Sequence, residues 1–394
     1  MIVVGGYYLE QCVKPHEKVG FGSGGRAAMA IASAGVPVDW YYYSPSEDCR
    51  RVALSLAHEN IAHFPHDSDA LITFRYFHPL SSPVYSPSNP AISPSIEVEG
   101  DVVLRFGFME GDAVVRGGRV IYDPQSPNEP ISYSKNGSIA SNLAIVLNAT
   151  EVRKLGRSDD ETEAVKKVGT IDNADVVLVK AGAEGCRVYL SGELQGTVPP
   201  YKSERVYKIG SGDVFSASFA YQWGVLGKSE MESADVASRC TSQYCETRLP
   251  TVLANEDLKR LKSIERKREG RIYIAGPFFT VGELWVIEEA WKALTELGAE
   301  VFSPYHAVGF GSADQVADAD LKGLDECTAV LAFIDGCDLG TIFEIGYARS
   351  KNVPVVALSE NAKDGDLTML TGTGCILIDD FSTAIYRAAW ESWR

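Results

Sequence analysis

Asp335, Asp338 and Glu344 stand close together, directly after the apolar run Ala329–Ile334. A strand that runs into such a segment delivers its carboxylates to the rim of a parallel sheet, where α/β proteins bind their ligands. Breaking a glycosidic bond passes through an oxocarbenium-like state. It needs one carboxylate against the anomeric carbon and a second acidic group to protonate the departing base. Glu344 is expected in the first turn of the next helix, Thr341–Ser350, where the helix dipole and free amides would keep it ionised and nucleophilic. The same letters have a structural reading: Thr341-x-x-Glu344 is also a capping box, and Asp338 also suits a turn.

A second constellation is Val206-Tyr207-Lys208-Ile209-Gly210-Ser211-Gly212-Asp213-Val214-Phe215, two glycines and an aspartate placed before an expected helix Ser216–Trp223. Free amides at a helix start form an anion hole. An aspartate beside it can take the proton from an attacking hydroxyl while the amides hold a transferring phosphoryl group. Serine, glycine and aspartate before a helix are equally an ordinary cap. His63-x-x-His66 with Asp67 and Asp69 lacks third and fourth ligands and reads as a polar surface loop, so no metal site is expected there. Tyr41-Tyr42-Tyr43 reads as strand packing.

The elements that must carry these residues alternate. Ile2-Val3-Val4-Gly5-Gly6 and Ile272-Tyr273-Ile274-Ala275-Gly276 each look like the first strand of an α/β unit. Between them, Asn255 to Arg271 is rich in charge and poor in apolar residues, which suits a solvated helix or tether. The boundary is placed there, giving domains 1–254 and 271–394 joined by a charged linker, 255–270. In the first part Gly24 to Gly35 reads as a helix of small residues and Pro79 to Ser95 as an irregular loop or flap. Strand-like runs follow at Val102–Phe106, Ala144–Leu147, Val176–Val179 and Cys186–Leu190. In the second part, strands near 272, 300–302, 329–334 and 353–358 alternate with helices over 281–297, 316–324 and 341–350. This alternation implies a parallel sheet covered on both faces.

At 394 residues the chain exceeds what one core usually organises. Apolar residues at 45% and charged residues at 23% describe globular domains, not disorder. A formal charge of −16, from 37 basic and 53 acidic side chains, repels phosphate backbones and anionic membrane surfaces, so nucleic acid and membranes are not expected partners. Without a leader-like N-terminus, a cytoplasmic protein is expected. Its eight scattered cysteines, with no CxxC pair, read as reduced thiols.

Beyond these local readings, the second part resembles the nucleoside 2-deoxyribosyltransferase family over roughly residues 271 to 360. The resemblance is carried by Ile272-Tyr273-Ile274-Ala275-Gly276-Pro277-Phe278-Phe279, by Asp320-Leu321, and by Asp338-Leu339-Gly340-Thr341-Ile342-Phe343-Glu344-Ile345-Gly346, which fits the pattern D-x-G-[ST]-x-x-E-x-G. It implies a flavodoxin- or Rossmann-like doubly wound sheet. Glu344 would be the covalent nucleophile, Asp320 a proton donor to the base, Asp338 a contact to sugar hydroxyls and Tyr273 a residue positioning Glu344. Phe278 and Phe279 would wall a flat base, with Gly276, Asp335, Gly340 and Thr341 completing the substrate site. No cofactor is implied for it, and a homo-oligomer is implied. A related branch takes deoxynucleoside 5′-monophosphates, where an aspartate at the position of Asp338 would face the phosphate. Like charges repel, so an uncharged nucleoside is expected.

The first part, about residues 1 to 250, resembles the ribokinase-like (PfkB) carbohydrate and nucleoside kinases: an α/β domain with a small β lid. Gly210-Ser211-Gly212-Asp213 fits that family's G-A-G-D signature, with Asp213 as base. Asn148-Ala149-Thr150-Glu151 fits its N-x-x-E element, which organises magnesium and phosphate, and Lys180-Ala181-Gly182-Ala183-Glu184-Gly185 its nucleotide-side turn. The resemblance implies ATP with Mg2+. It departs at the sugar-gripping positions, where this chain has Glu10 and Arg26. Arginine is a fork for phosphate or carboxylate, so either a charged or unusual acceptor or a decayed sugar site is expected. Two functions follow. One is a salvage enzyme that releases a base and phosphorylates a nucleoside or sugar. The other is a nucleotide-sensing pseudokinase that controls a nucleotide or cofactor glycohydrolase.

Overall fold

A computed structural model describes residues 1–125, 129–253, 256–309, 311–363 and 365–394. The chain divides into two compact units, Met1–Ser263 and Ile264–Arg394. The expected domain end at 254 and linker start at 255 lie outside the described residues.

The strands of the first unit are β1 (Ile2–Val4), β2 (Leu9–Cys12), β3 (Glu17–Gly20), β4 (Val38–Ser44), β5 (Ile61–Asp67), β6 (Thr73–Tyr76) and β7 (Val84–Ser86), followed by β8 (Ile96–Phe106), β9 (Ala113–Asp123), β10 (Ile139–Asn148), β11 (Val176–Lys180), β12 (Cys186–Leu190) and β13 (Glu193–Val198). Its helices are α1 (Gly22–Ala32), α2 (Ser46–Ser55), α3 (Ala149–Gly156), α4 (Glu161–Asp172), α5 (Ser211–Phe219), α6 (Glu230–Thr247) and the short α7 (Glu256–Lys259). Nine strands form one sheet in the order β13-β12-β11-β10-β9-β8-β1-β4-β5. It is parallel from β11 through β5, and β12 and β13 close one edge antiparallel.

Successive residues on a strand face opposite sides, and the central strands are apolar on both. Val3, Val146 and Leu178 pack with Ala27, Ile31 and Phe215 of α1 and α5 on one side. Val4, Ile145 and Val177 pack with Val152, Ala164 and Val168 of α3 and α4 on the other. Each such side chain contributes roughly 1.5–3 kcal/mol by leaving water, so the carboxyl ends of β9, β10 and β11 are firmly held. A separate sheet, β3-β2-β6-β7, is the expected lid. It takes up part of the Pro/Ser-rich interval, because Val84–Ser86 pairs antiparallel with Thr73–Arg75 and is not irregular.

The second unit contains β14 (Arg271–Ala275), α8 (Val281–Glu296), β15 (Glu300–Phe302), α9 (Pro304–Ala307), α10 (Ala313–Asp325), β16 (Ala329–Phe333), α11 (Leu339–Ser350), β17 (Val355–Leu358), α12 (Thr368–Gly372), β18 (Ile376–Ile378) and α13 (Phe381–Ser392). Its sheet is parallel throughout, in the order β15-β14-β16-β17-β18. That is the flavodoxin-like arrangement, with a switch point where the chain leaves β14 and β16 in opposite directions. Tyr273 and Ala275 join Leu324, Ile345 and Ala348 of α10 and α11 in one buried cluster, while α13 packs against β14, β16 and β17 as well.

The charged stretch expected as a tether behaves differently. Leu258 is buried with Val214, Cys240 and Tyr244 of the first unit. Lys267 N donates to Trp393 O at 3.0 Å in the second. His63 and His66 also depart from expectation: they lie on strand β5, not in a loop, and Tyr42 Oη is 3.1 Å from His63 Nδ1. Tyr42 and Tyr43 are buried on β4, as strand packing requires.

Candidate functional site

In the second unit the helix that follows β16 starts earlier than its sequence suggests. Asp338 is the N-cap of α11, and its Oδ2 accepts from Thr341 N at 2.8 Å and from Thr341 Oγ1 at 2.9 Å. Thr341 and Glu344 therefore do not form a capping box. With Leu339 as first helical residue, Glu344 lies in the second turn and not the first, beyond the amides that would have stabilised its charge. It faces β14 instead. Tyr273, fully buried, donates its hydroxyl to Glu344 Oε1 at 2.5 Å.

Burial pushes the Glu344 carboxyl up to about 7, and the nearby Asp320 and Asp338 carboxylates push the same way, while the tyrosine hydrogen bond opposes them. The expectation that the helix start holds Glu344 ionised is thus overturned: loss of water and like charges outweigh its one donor. Asp320, on α10, is also raised by burial, and its Oδ1 is buried without a hydrogen-bond partner. Tyr273 is raised for the same reason, with Glu344 next. Two acids whose protons are held more tightly than usual, and a phenol between strand and helix, are brought together from three segments.

Other expected substrate residues also have structural contacts. Thr341 is 1% exposed and spends its donors on Asp338. Asp335 accepts from Glu360 N and Asn361 N, each at 2.9 Å, so it fastens the loop after β17. A Cβ on Gly276 would stand 3.0 Å from Ile287 Cδ1 and 3.2 Å from Phe333 Cβ, so a side chain here would crowd α8 and β16. Gly340 is exposed in the first turn of α11, 3.1 Å from Asp338 Oδ2 by the same measure. Phe278 and Phe279 lie 5.2 Å apart by ring centroid, with Phe279 exposed. Sequence reasoning missed their neighbours. Tyr305 lies 5.6 Å from Phe278, and His306 stacks on Trp291 at 4.9 Å. The signal was the Tyr305-His306 pair directly after β15, at the same sheet edge.

In the first unit, Gly210 is the N-cap of α5 at φ +80°, and Ser211, Gly212 and Asp213 fill its first turn. The helix therefore begins five residues before the expected Ser216. Asp213 is 6% exposed, and both its oxygens are taken. Oδ1 accepts from Gln125 Nε2 at 2.5 Å, and Oδ2 accepts from Arg26 Nη1. The same guanidinium donates through Nη2 to Glu10. Glu10 reaches it from β2 of the lid, Arg26 from α1, so lid and body meet on one buried arginine. A Cβ on Gly210 would lie 2.3 Å from Arg26 Cζ, so only glycine lets the guanidinium lie against the helix start.

A second charged group stands beside the first. Lys180, the last residue of β11, donates to Asp123 Oδ2 at 2.8 Å, and Ser216 Oγ donates to the same oxygen at 2.7 Å. Asp123 is completely buried and its Oδ1 has no partner. Burial raises Asp123 and Glu151, and both act on Lys180, whose ammonium is raised by Asp123 first and Glu151 next against its own loss of water. Gln125, Asp123 and Ser216 went unnoticed as site residues, and Lys180 was named only as part of the nucleotide-side turn, although Asp123 and Lys180 are polar breaks at the ends of apolar strands. Asn148 and Glu151 form a reciprocal capping box on α3: Asn148 Oδ1 accepts from Thr150 N and Glu151 N, and Glu151 Oε2 accepts from Asn148 N. Gly182 and Gly185 shape the turn from β11 into β12 at φ +56° and +91°.

Among the described residues, no three carboxylate, histidine or cysteine groups cluster as a metal site, and no helix is long and apolar enough to cross a membrane. The donor set does fit a magnesium ion held mainly by nucleotide phosphates and water, since such ions take only one or two carboxylates. Asp123, with its unpartnered oxygen, and Glu151 would be those two.

Comparison with known proteins separates the units in the same way. Residues 120–256 match the family model for pfkB family carbohydrate kinases, and residues 272–379 that for nucleoside 2-deoxyribosyltransferase. An uncharacterized sugar kinase of Archaeoglobus fulgidus is 30% identical over 131 residues, which is 32% of this chain and 50% of that protein. A 5-dehydro-2-deoxygluconokinase of Clostridium botulinum is 28% identical over 111 residues, 27% of this chain and 32% of that protein. The chain thus spans half or less of the length of these curated relatives. The crystal structure of fructokinase from Vibrio cholerae, with fructose, ADP and calcium bound, superposes with a TM-score of 0.50 at 15% identity, covering 66% of this chain and 97% of that one. The chain therefore joins a ribokinase-like, pfkB-type domain to a nucleoside 2-deoxyribosyltransferase-like domain.

Proposed function

We propose that the second unit cleaves the N-glycosidic bond of an uncharged nucleoside through a covalent sugar–Glu344 intermediate. The observation that carries this is the Tyr273–Glu344 hydrogen bond at the switch point of the sheet, with Asp320 and Asp338 close enough to raise Glu344. Glu344 Oε2 or Oε1 bonds to the anomeric carbon as the carbon–nitrogen bond breaks, and the base leaves with a proton delivered by Asp320, whose carboxyl burial raises above its ordinary value. Tyr273 holds the nucleophile in line and stabilises its charge. Asp338 offers its remaining Oδ1 to a sugar hydroxyl, the other oxygen being committed to the helix start. Water or a second base then takes the sugar and restores Glu344. Phe278 and Tyr305 supply the apolar faces against which the base lies. The test is Glu344→Ala, assayed for base release from a panel of nucleosides with and without an acceptor base. Retained release would remove the mechanism.

The first unit we read as an ATP-dependent phosphoryl transferase acting on a small acceptor. Lys180 and the amides at the start of α5 form the anion-holding part, and Asp213 is positioned to take the acceptor proton. Magnesium, when bound by Asp123 and Glu151 with the nucleotide, supplies charge neutralisation to the phosphates. A second reading, a nucleotide-sensing unit without transfer, is favoured by the engagement of both Asp213 oxygens by Gln125 and Arg26. ADP formation in the presence of acceptors separates the two, and an Asp213→Asn protein that still forms ADP would refute the base assignment.

A further inference from the structure

The acceptor side of the first unit contains a cavity of about 660 Å3, lined among others by Glu10, Arg26, Tyr207, Tyr244 and Arg248. Two arginines therefore face one small chamber, each held by a carboxylate of the lid hairpin: Arg26 by Glu10 on β2, and Arg248 by Glu17 on β3. Arg248 also lies over the Tyr207 ring, 4.7 Å from its centroid. Arg26 is 5% exposed and Glu10 12% in their side chains. The base, Asp213, cannot approach an acceptor hydroxyl while Arg26 Nη1 covers its Oδ2 and Gln125 its Oδ1.

Something must draw the guanidinium away. A neutral hydroxyl cannot, because displacing a carboxylate from a buried guanidinium leaves an unpaired charge in a dry site. An anion can, since it exchanges one carboxylate-like partner for another and matches the planar fork of the arginine. We propose that the acceptor of the first unit carries a carboxylate or phosphate group, and that Arg26 binds that group and thereby releases Asp213. This rests on the reading of the unit as a phosphoryl transferase. In the step itself the acceptor oxygen bonds to the terminal phosphorus of ATP as the bridging phosphorus–oxygen bond breaks, ADP leaves, and the hydroxyl proton passes to Asp213. Arg26 touches the acceptor's anionic group and not the reacting oxygen. It sets specificity.

The full-length protein is incubated with ATP and magnesium and two acceptor sets, one neutral (fructose, myo-inositol, ribose, uridine) and one anionic (gluconate, glucuronate, ribose 5-phosphate), and ADP is followed. Turnover is expected with a member of the anionic set, at a kcat/KM at least 100-fold above any neutral acceptor. In Arg26→Asn that preference falls at least 100-fold, chiefly through KM. In Arg26→Lys, which keeps the charge and guards against a folding artefact, it falls about tenfold. A wild-type preference for neutral acceptors, or an anionic kcat/KM unchanged by either substitution, overturns the proposal. Calorimetric titration of gluconate and ribose 5-phosphate into the same proteins distinguishes the two readings if no ADP forms at all. Anion binding by the wild type that Arg26→Asn abolishes keeps the anion site while the transferase reading fails; absence of anion binding by the wild type refutes the site itself.

Discussion

Tyr273→Phe removes the hydroxyl that donates to Glu344 Oε1 at 2.5 Å and leaves the ring in place, stacked on Phe302 at 5.5 Å. A hydrogen bond to a charged group contributes about 1.5–3 kcal/mol. At the lower end this is about one pKa unit. Glu344, already pushed up to about 7, should therefore titrate near ~8 in the variant. At pH 7 the ionised fraction of the nucleophile falls from about one half to about one tenth, so base release should drop about fivefold. At pH 9 both proteins are ionised and the variant should come within about twofold of the parent. The assay is kcat/KM for base release across the pH range on either side of neutrality, read by chromatography, with the ascending limb fitted for each protein. An equal loss at every pH would mean that the hydroxyl acts on geometry alone. An unmoved limb would mean that it has no hold on the Glu344 proton, and the reasoning would fail.

Further outcomes follow from the same contacts. Because the folded-state pKa of Glu344 lies above the ordinary glutamate value of 4.5, the folded protein binds this proton more tightly, and the stability it contributes is present at low pH and lost as pH rises through about 7. Glu344→Gln, which does not titrate, should melt above the parent at pH 8, by at most about 3 kcal/mol of stabilisation, and level with it at pH 4; a constant offset would contradict the raised carboxyl. Asp338→Ala should lose about 1 kcal/mol with the helix cap, whereas Asp338→Asn should keep stability and move the ascending limb of activity to lower pH, since one like charge is gone. Lys180→Met should cost about 3–5 kcal/mol in denaturant unfolding by stranding the buried Asp123, and adding Asp123→Asn should recover much of it. Gly210→Ala should lower nucleotide-dependent activity and stability together, since its φ of +80° and its contact with Arg26 both exclude a Cβ.

The alternation of apolar strands and helices was legible because each central strand is buried on both faces and so reads as an unbroken apolar run, as at Val176–Val179 and Ala329–Phe333. Ile376–Ile378, a short strand at one edge of the sheet, and Phe381–Ser392 escaped notice. Helix starts were misplaced at both sites for one reason: Gly210 and Asp338 begin their helices through backbone geometry and a side-chain cap, and neither leaves an apolar mark. The raised carboxyl of Glu344 was not legible, because its neighbours Tyr273, Asp320 and Asp338 come from segments up to 71 residues away in sequence. The Arg26–Asp213 pair spans a separation of 187 residues, beyond anything local spacing can show.

The way Glu256–Gly270 is divided bears on taking the protein apart. A first half ended at residue 254 would leave a hole beside Val214, Cys240 and Tyr244 where Leu258 belongs, and would deprive Arg239 of the Leu258 carbonyl to which it donates at 2.9 Å. Tyr201, whose partner across an isolated bridge is Ser263, would lose that too. Scission after Ser263 keeps all three, and lets the remaining piece retain Lys267 and Arg268, which fasten the final helix by donating to Trp393 O and Ser392 O.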